Sequence, residues 1–328
     1  MSIIDQFIKK SITNPKTIVF PESDDERVLR AVEQIHNQNI ARPILIGKAE
    51  TILKFAQEMG IKLDHLPIIF PTESEYFLSF IKAYIRKRPN INEKIAEKLL
   101  RKPLFFAGMM VSEGRADGMV AGVSQATSTV IQAASLTIGF DHGLSNPSSF
   151  FIMVLPEFNG VRDHILIFAD CAVNIQPTPK QLAEIAVITG RNAKKLLDIE
   201  PKIALLSFST KGSARHADTE KVIQATQIAR EIAPDLDIDG ELQADAAIIS
   251  SVAQKKVKQS AVAGKSNVLI FPDLDSGNIA YKLVQYLGKA QAYGPFLQGF
   301  AKPVSDLSRG ASVEDIVGVT AVTVVQAQ

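Results

Sequence analysis

Short β-branched runs closed by proline or glycine alternate with helical stretches along this chain, and that alternation limits its fold more than any other feature. Residues 17–20 (Thr-Ile-Val-Phe) read as a strand closed by Pro21. Residues 24–38 follow as a helix with Val28, Leu29, Val32 and Ile35 on one face. Residues 42–46 read as the next strand, closed by Gly47, and residues 49–59 as a helix stopped by Gly60. Strand, helix, strand, helix in this order predicts a mostly parallel sheet with helices on both faces.

The pattern continues. Residues 76–87 and 91–100 are expected to be helical, with Pro89 between them, and residues 116–121 to form a short strand. Residues 150–155 and 164–169 read as two strands joined through Pro156, Asn159 and Gly160, which signals a hairpin rather than a crossover. Helices are expected over 179–197, 219–232 and 277–287, and strands over 202–207 and 267–271. The final stretch, 316–328, is apolar, and periodicity leaves helix and strand both open. A length of 328 residues suggests two domains, at roughly 150 residues each. The hairpin near residue 150 is the best sign of where one gives way to the other.

Composition excludes several classes. Lys plus Arg number 36 against 35 Asp plus Glu, a net charge of +1. A nucleic-acid protein or a polybasic membrane anchor needs a basic surface, and this balance does not supply one. Cys171 is the single cysteine, so no disulfide framework or cysteine-cluster metal site forms within one chain, and a reducing compartment suits it. Asp5, Lys9 and Lys10 interrupt the apolar run that a signal peptide requires, so the expected location is cytoplasmic. Residues 118–140 carry no charge, but Ser124, Gln125, Thr127, Ser128, Thr129 and Gln132 would be unsatisfied in hydrocarbon, so a buried or cleft-lining segment is expected.

Three segments could carry chemistry. Phe208-Ser-Thr-Lys-Gly-Ser-Ala-Arg-His216 joins a strand to a helix and gathers hydroxyls, Lys211, Gly212, Ser213 and Arg215, an arrangement suited to an anion or to an ordinary βα turn. Ser305-Asp-Leu-Ser-Arg-Gly-Ala-Ser-Val-Glu-Asp315 offers the Ser308 hydroxyl, the Arg309 fork and Asp315. Its Ser312-x-x-Asp315 spacing also reads as a capping box, and a capped helix start is itself an anion site. Pro272-Asp-Leu-Asp-Ser-Gly-Asn278 places two carboxylates two residues apart, but a polar loop with Ser276 or Asp275 capping the next helix is the favoured reading, and no metal is expected. The histidines are not at metal spacing, and only His216 lies in a candidate loop. Neither GxGxxG nor GxSxG is present.

With these segments the chain resembles the phosphate acetyltransferase (phosphotransacetylase) family, within the phosphate acetyl/butyryl transferases. The likeness runs from Val19-Phe-Pro-Glu-Ser-Asp-Asp-Glu-Arg-Val28 to the C-terminus. It is strongest over 206–214, 239–247, 272–278 and 294–299, running on to Asp306-Leu-Ser-Arg-Gly310. The resemblance implies reversible acetyl transfer between acetyl phosphate and coenzyme A, with coenzyme A as substrate, no tightly bound cofactor and no metal. It implies two three-layer α/β domains of the isocitrate/isopropylmalate dehydrogenase-like kind, with mostly parallel sheets, an active-site cleft between them, and a homodimer. Residues 1–144 plus 294–328 would form the first domain and 145–293 the second. Asp315 would take the thiol proton, Ser308 would stabilise charge at the carbonyl, and Arg309 would hold the phosphoryl group. Arg86, Lys211, Gly212, Ser213, Asn278 and Gln298 would contact substrate.

One position departs from the family. The resemblance implies an arginine at the position where this sequence has Gln132, and a neutral amide does not replace a charged fork. Arg101, Arg115 or Arg215 would have to substitute, or phosphate is held less tightly, or the acyl group differs. A longer chain such as butyryl is therefore the sibling reading. An isocitrate-type dehydrogenase and a non-catalytic acetyl-CoA-sensing module are the readings of other classes. The former lacks its cofactor motifs, and the joint presence of Ser308, Arg309 and Asp315 argues against the latter. A free aspartate and a free thiol differ by about 4.6 pKa units, or about 6 kcal/mol against full proton transfer. Transfer to Asp315 must then be concerted with attack, or Asp315 must be desolvated.

Overall fold

The computed structural model describes residues 2–63 and 65–328. The chain folds as two compact units, residues 1–142 with 300–328, and residues 143–299. The first unit begins with α1 (Ile3–Thr13), β1 (Thr17–Phe20), α2 (Glu26–Asn37), β2 (Arg42–Ile46), α3 (Ala49–Glu58) and β3 (Ile68–Ile69). It continues through α4 (Phe77–Lys87), α5 (Glu93–Leu100), α6 (Pro103–Ser112), β4 (Gly118–Ala121) and α7 (Thr127–Thr137). The second unit holds β5 (Ser148–Phe158), β6 (Val161–Ala169), α8 (Pro179–Leu197), β7 (Lys202–Leu206), α9 (Ala217–Ile232) and β8 (Asp237–Leu242). Then come α10 (Ala244–Ile248), α11 (Ser250–Lys256), β9 (Val268–Ile270), α12 (Leu274–Tyr286) and β10 (Gln291–Gln298). The chain returns to the first unit as β11 (Val304–Asp306) and α13 (Val313–Ala327).

The first unit's sheet has the order β11-β4-β1-β2-β3, and every pairing is parallel. All four residues of β4 and three of four in β1 are buried, as a parallel sheet covered on both faces requires. α2 presents the expected stripe, with Val28, Leu29, Val32 and Ile35 buried, and Asp25 caps its first turn. The C-terminal stretch is a helix. Its periodicity is silent because α13 is buried nearly all round, packed with α1, α2 and β4. The uncharged stretch 118–140 forms β4, a turn and the 11-residue α7. No helix of the described residues is long and apolar enough to cross a membrane.

The second unit's sheet has the order β10-β5-β6-β9-β7-β8. β10, β5 and β6 pair antiparallel, and β6, β9, β7 and β8 pair parallel. The hairpin turns on Asn159 and Gly160, both at positive φ, so its strands run on past Pro156 to the turn itself. Phe151, Met153, Leu166, Phe168, Leu206 and Leu269 share one core, against which Tyr281 and Val284 of α12 pack. Their intervening neighbours Ile152, Ile167, Ile203 and Leu205 are buried too. Fully burying such a side chain contributes roughly 1.5–3 kcal/mol. Asp273, not Ser276 or Asp275, caps α12, its side chain accepting from the Ser276 N–H at 2.8 Å. Gly277 then fits because a Cβ there would meet the Asp170 carbonyl.

Candidate active site

The carboxyl ends of β1, β4 and β11 bring three loops of the first unit together. Glu22, just past β1, is 5% exposed and accepts from four backbone N–H groups, those of Gly122, Val123, Ser124 and Gln125, at 2.7–2.9 Å, and from the Ser124 hydroxyl. An interior carboxylate therefore fixes the loop after β4. Gly122 has φ +109, and a Cβ there would strike Asp306 and the Leu307 backbone, so only glycine allows this approach.

Arg27 ties the same loops together. Its guanidinium bonds both Asp25 oxygens, and it donates to the carbonyls of Arg309 at 2.8 Å, Ala311 at 3.0 Å and Val123 at 3.3 Å. This hydrogen-bonded fork holds the Asp25 carboxyl below its ordinary range. The loop it braces carries Ser308 and Arg309, both exposed. The Ser308 hydroxyl accepts from the Gly310 N–H at 3.2 Å, and Arg309 has no carboxylate partner among the described residues. The capping box is present: Asp315 Oδ2 accepts from the Ser312 N–H at 2.9 Å and the Ser312 hydroxyl at 3.0 Å. Its Oδ1 has no hydrogen bond among the described residues, and Asp315 is exposed, so any desolvation would have to come from bound substrate.

Asp306 is the opposite case. It is buried, its Oδ2 accepts from the Thr127 hydroxyl at 2.5 Å, and its Oδ1 has no hydrogen-bond partner among the described residues. Burial pushes its pKa up to about 6 against the Thr127 hydrogen bond, with the nearby Glu22 adding to the rise. Neither Glu22, Arg27 nor Asp306 was singled out from sequence. The signal lay in the Pro21-Glu-Ser-Asp-Asp-Glu-Arg27 run, but their partners sit about a hundred residues or more away in the chain.

Arg86 is exposed in the last turn of α4 with no carboxylate partner among the described residues. Arg88, two residues on, donates to the carbonyls of Ser135 and Leu136 and secures the end of α7. Gln132 lies on α7 and is exposed. Arg101 pairs with Glu97, and the Arg115 guanidinium stacks over Tyr76 at 4.5 Å, so both are engaged elsewhere.

In the second unit, the 208–216 turn is held by Glu241. That buried carboxylate accepts from the Gly212 N–H at 2.7 Å and the Ser209 hydroxyl at 2.8 Å. Lys211 donates to Asp239 at 2.5 Å and to the Gly240 carbonyl at 2.8 Å. Burial alone would raise the Asp239 carboxyl, but the bonds from Lys211 and Ser260 hold it below its ordinary value. Ser213 accepts from the Thr210 N–H at 3.0 Å. His216 caps α9, and Arg215 is exposed. Asn278 donates to the Cys171 carbonyl at 3.0 Å. Gln298 is buried, giving its N–H bonds to Ser148 and Thr189 and accepting from Asn192, so it has no donor left over. Cys171 is fully buried, and burial, with the neighbouring Asp170 charge, pushes its thiol well up. No group of three or more His, Cys, Asp or Glu among the described residues could hold a metal.

The chain matches the family model described as phosphate acetyl/butaryl transferase over residues 2–324. It is 46% identical to the phosphate acetyltransferase of Acetivibrio thermocellus over 100% of this chain and 99% of that protein. It is likewise 46% identical to the phosphate acetyltransferase of Thermoanaerobacterium thermosaccharolyticum, covering 100% of both. A solved phosphotransacetylase from Streptococcus pyogenes superposes with a TM-score of 0.94 at 42% identity, covering 100% of this chain and 99% of that one.

Proposed function

The chain belongs to the phosphate acetyl/butaryl transferase family, and from that premise we propose how its residues move an acetyl group between acetyl phosphate and coenzyme A. The observation that carries the reading is the 308–315 segment. A guanidinium and a carboxylate oxygen that have no partner among the described residues stand exposed with a hydroxyl on one segment where the sheet's strands end. In the forward step the coenzyme A sulfur attacks the acetyl carbon. The S–C bond forms, the C–O bond to phosphate breaks, and phosphate leaves with the bonding pair. The thiol proton passes to Asp315 as the S–C bond forms. Ser308 donates to the oxygen on which charge develops, and Arg309 grips the phosphoryl oxygens bidentately. Holding two substrates in line supplies much of the rate.

Arg86, the 211–213 turn and Asn278, which gives one N–H to the Cys171 carbonyl and keeps the other, are further substrate contacts in this account, whereas Gln298 is occupied by internal bonds. Coenzyme A is a substrate, and nothing need be tightly bound. A homodimer is supported by α12, whose Ile279, Leu283, Tyr286 and Leu287 are 52–79% exposed along one helical face. The reading carries a cytoplasmic location, which the lone buried thiol suits. A longer acyl chain is the second reading, motivated by Gln132. Purified protein mixed with coenzyme A and either acetyl or butyryl phosphate decides, by thioester absorbance. Acetyl phosphate is expected to turn over faster, and turnover of butyryl phosphate alone would move the chain to the sibling activity.

A further inference from the structure

A cavity of about 680 Å³ in the first unit is lined by none of Ser308, Arg309 or Asp315. It opens where β1, β2 and β3 end. Its walls include Phe70, Leu104 and Phe105; the turn before α7 supplies Gln125, and α7 itself supplies Thr129, Gln132 and Leu136. Two ammonium groups border it. Lys48, at the start of α3, lies 5.4 Å from the Phe70 ring, and Lys102, before α6, lies 5.8 Å from the Phe105 ring. Neither has a carboxylate partner among the described residues. The two carboxylates on the opposite wall are unequal: Glu22 is saturated by the loop after β4, and Asp24 is exposed.

We propose that this cavity takes the phosphorylated adenosine end of coenzyme A, with Lys48 and Lys102 supplying the positive charge that Gln132 lacks. The inference rests on the acetyl-transfer reading above. The volume is far larger than a two-carbon acyl phosphate needs and falls within the usual range for a drug-sized ligand, roughly 300–1,000 Å³. Aromatic and aliphatic walls suit a planar base. The side-chain amides of Gln125 and Gln132 and the exposed Asp24 suit its amino edge and the ribose hydroxyls. Two unneutralised ammonium groups suit the phosphates as point charges.

The test compares wild type, Lys48→Met, Lys102→Met and the double variant. Steady-state kinetics are paired with calorimetric titration of adenosine 3′,5′-bisphosphate. Both lysines are exposed, so the variants should fold, and matching thermal melts will check it. Each single change is expected to raise the KM for coenzyme A by about fivefold to tenfold, with the KM for acetyl phosphate unmoved. The salt dependence of the coenzyme A KM should flatten in the double variant. The bisphosphate should bind wild type, compete with coenzyme A, and bind the double variant more weakly. A rise in the acetyl phosphate KM alone, or bisphosphate binding that does not compete with coenzyme A, overturns the assignment. Lysine-dependent bisphosphate binding in a wild-type protein without turnover would uphold the site and sink the acetyl-transfer reading instead.

Discussion

Asp306 and Asp315 bracket the same short loop and live in opposite surroundings. Asp315 is exposed and half committed to a capping box, whereas Asp306 is buried with one oxygen that has no partner among the described residues. The folded state keeps the Asp306 proton up to about pH 6, while an unfolded chain loses it near 3.8. Between those values the folded state binds more protons, so Asp306 makes stability fall as pH rises through that window. The gap between 3.8 and about 6 is worth at most about 3 kcal/mol. Asp306→Asn, which still accepts from Thr127, should therefore match or exceed wild-type stability in denaturant at neutral pH. That advantage should shrink toward about pH 4. An advantage that grows on acidification would contradict the assignment of the buried proton. Of these two residues, sequence exposed only Asp315. Its spacing from Ser312 is local, whereas the burial of Asp306 is made by Gly122 and Thr127, far away in the chain.

Single elements matter chiefly through how their ends are held. The Ser308–Arg309 loop has no regular structure of its own, and Arg27 at the start of α2 supplies two bonds to its carbonyls. Arg27→Lys keeps the charge and loses the fork. It should lower kcat by about tenfold, as small misplacements of reacting groups do, with little change in melting temperature. Unchanged kcat would show that the loop keeps its shape without the fork. At this scale the sequence was readable where one face is apolar, as in α2, or where turn residues are diagnostic, as at Asn159-Gly160. It was unreadable for α6, whose Leu104–Val111 residues are all buried and leave no polar face to set a period. β11 is three residues long and owes its existence to pairing with β4, so no local pattern announces it.

At the scale of the molecule, the alternation of elements was enough to predict a mostly parallel sheet with helices on both faces, while the second domain followed from length and from the family resemblance. The order of strands was not. β11 joins β4, and β10 joins β5, across more than a hundred residues of intervening chain. The exposed stripe on α12 is covered by nothing within one chain among the described residues, and the proposed homodimer would cover it. Light scattering should give about twice the 35.7 kDa of one chain, and Leu283→Lys should shift it toward the monomer. A monomeric wild type would leave that stripe to another partner. The central claim is that the 308–315 segment carries out direct transfer with Asp315 as base. Thioester formation from coenzyme A and acetyl phosphate, measured side by side for wild type and Asp315→Asn, tests it most directly. The account predicts rapid turnover in the wild type and a loss of about a hundredfold or more in the variant. A wild type without turnover, or a variant of near-normal rate, would contradict it.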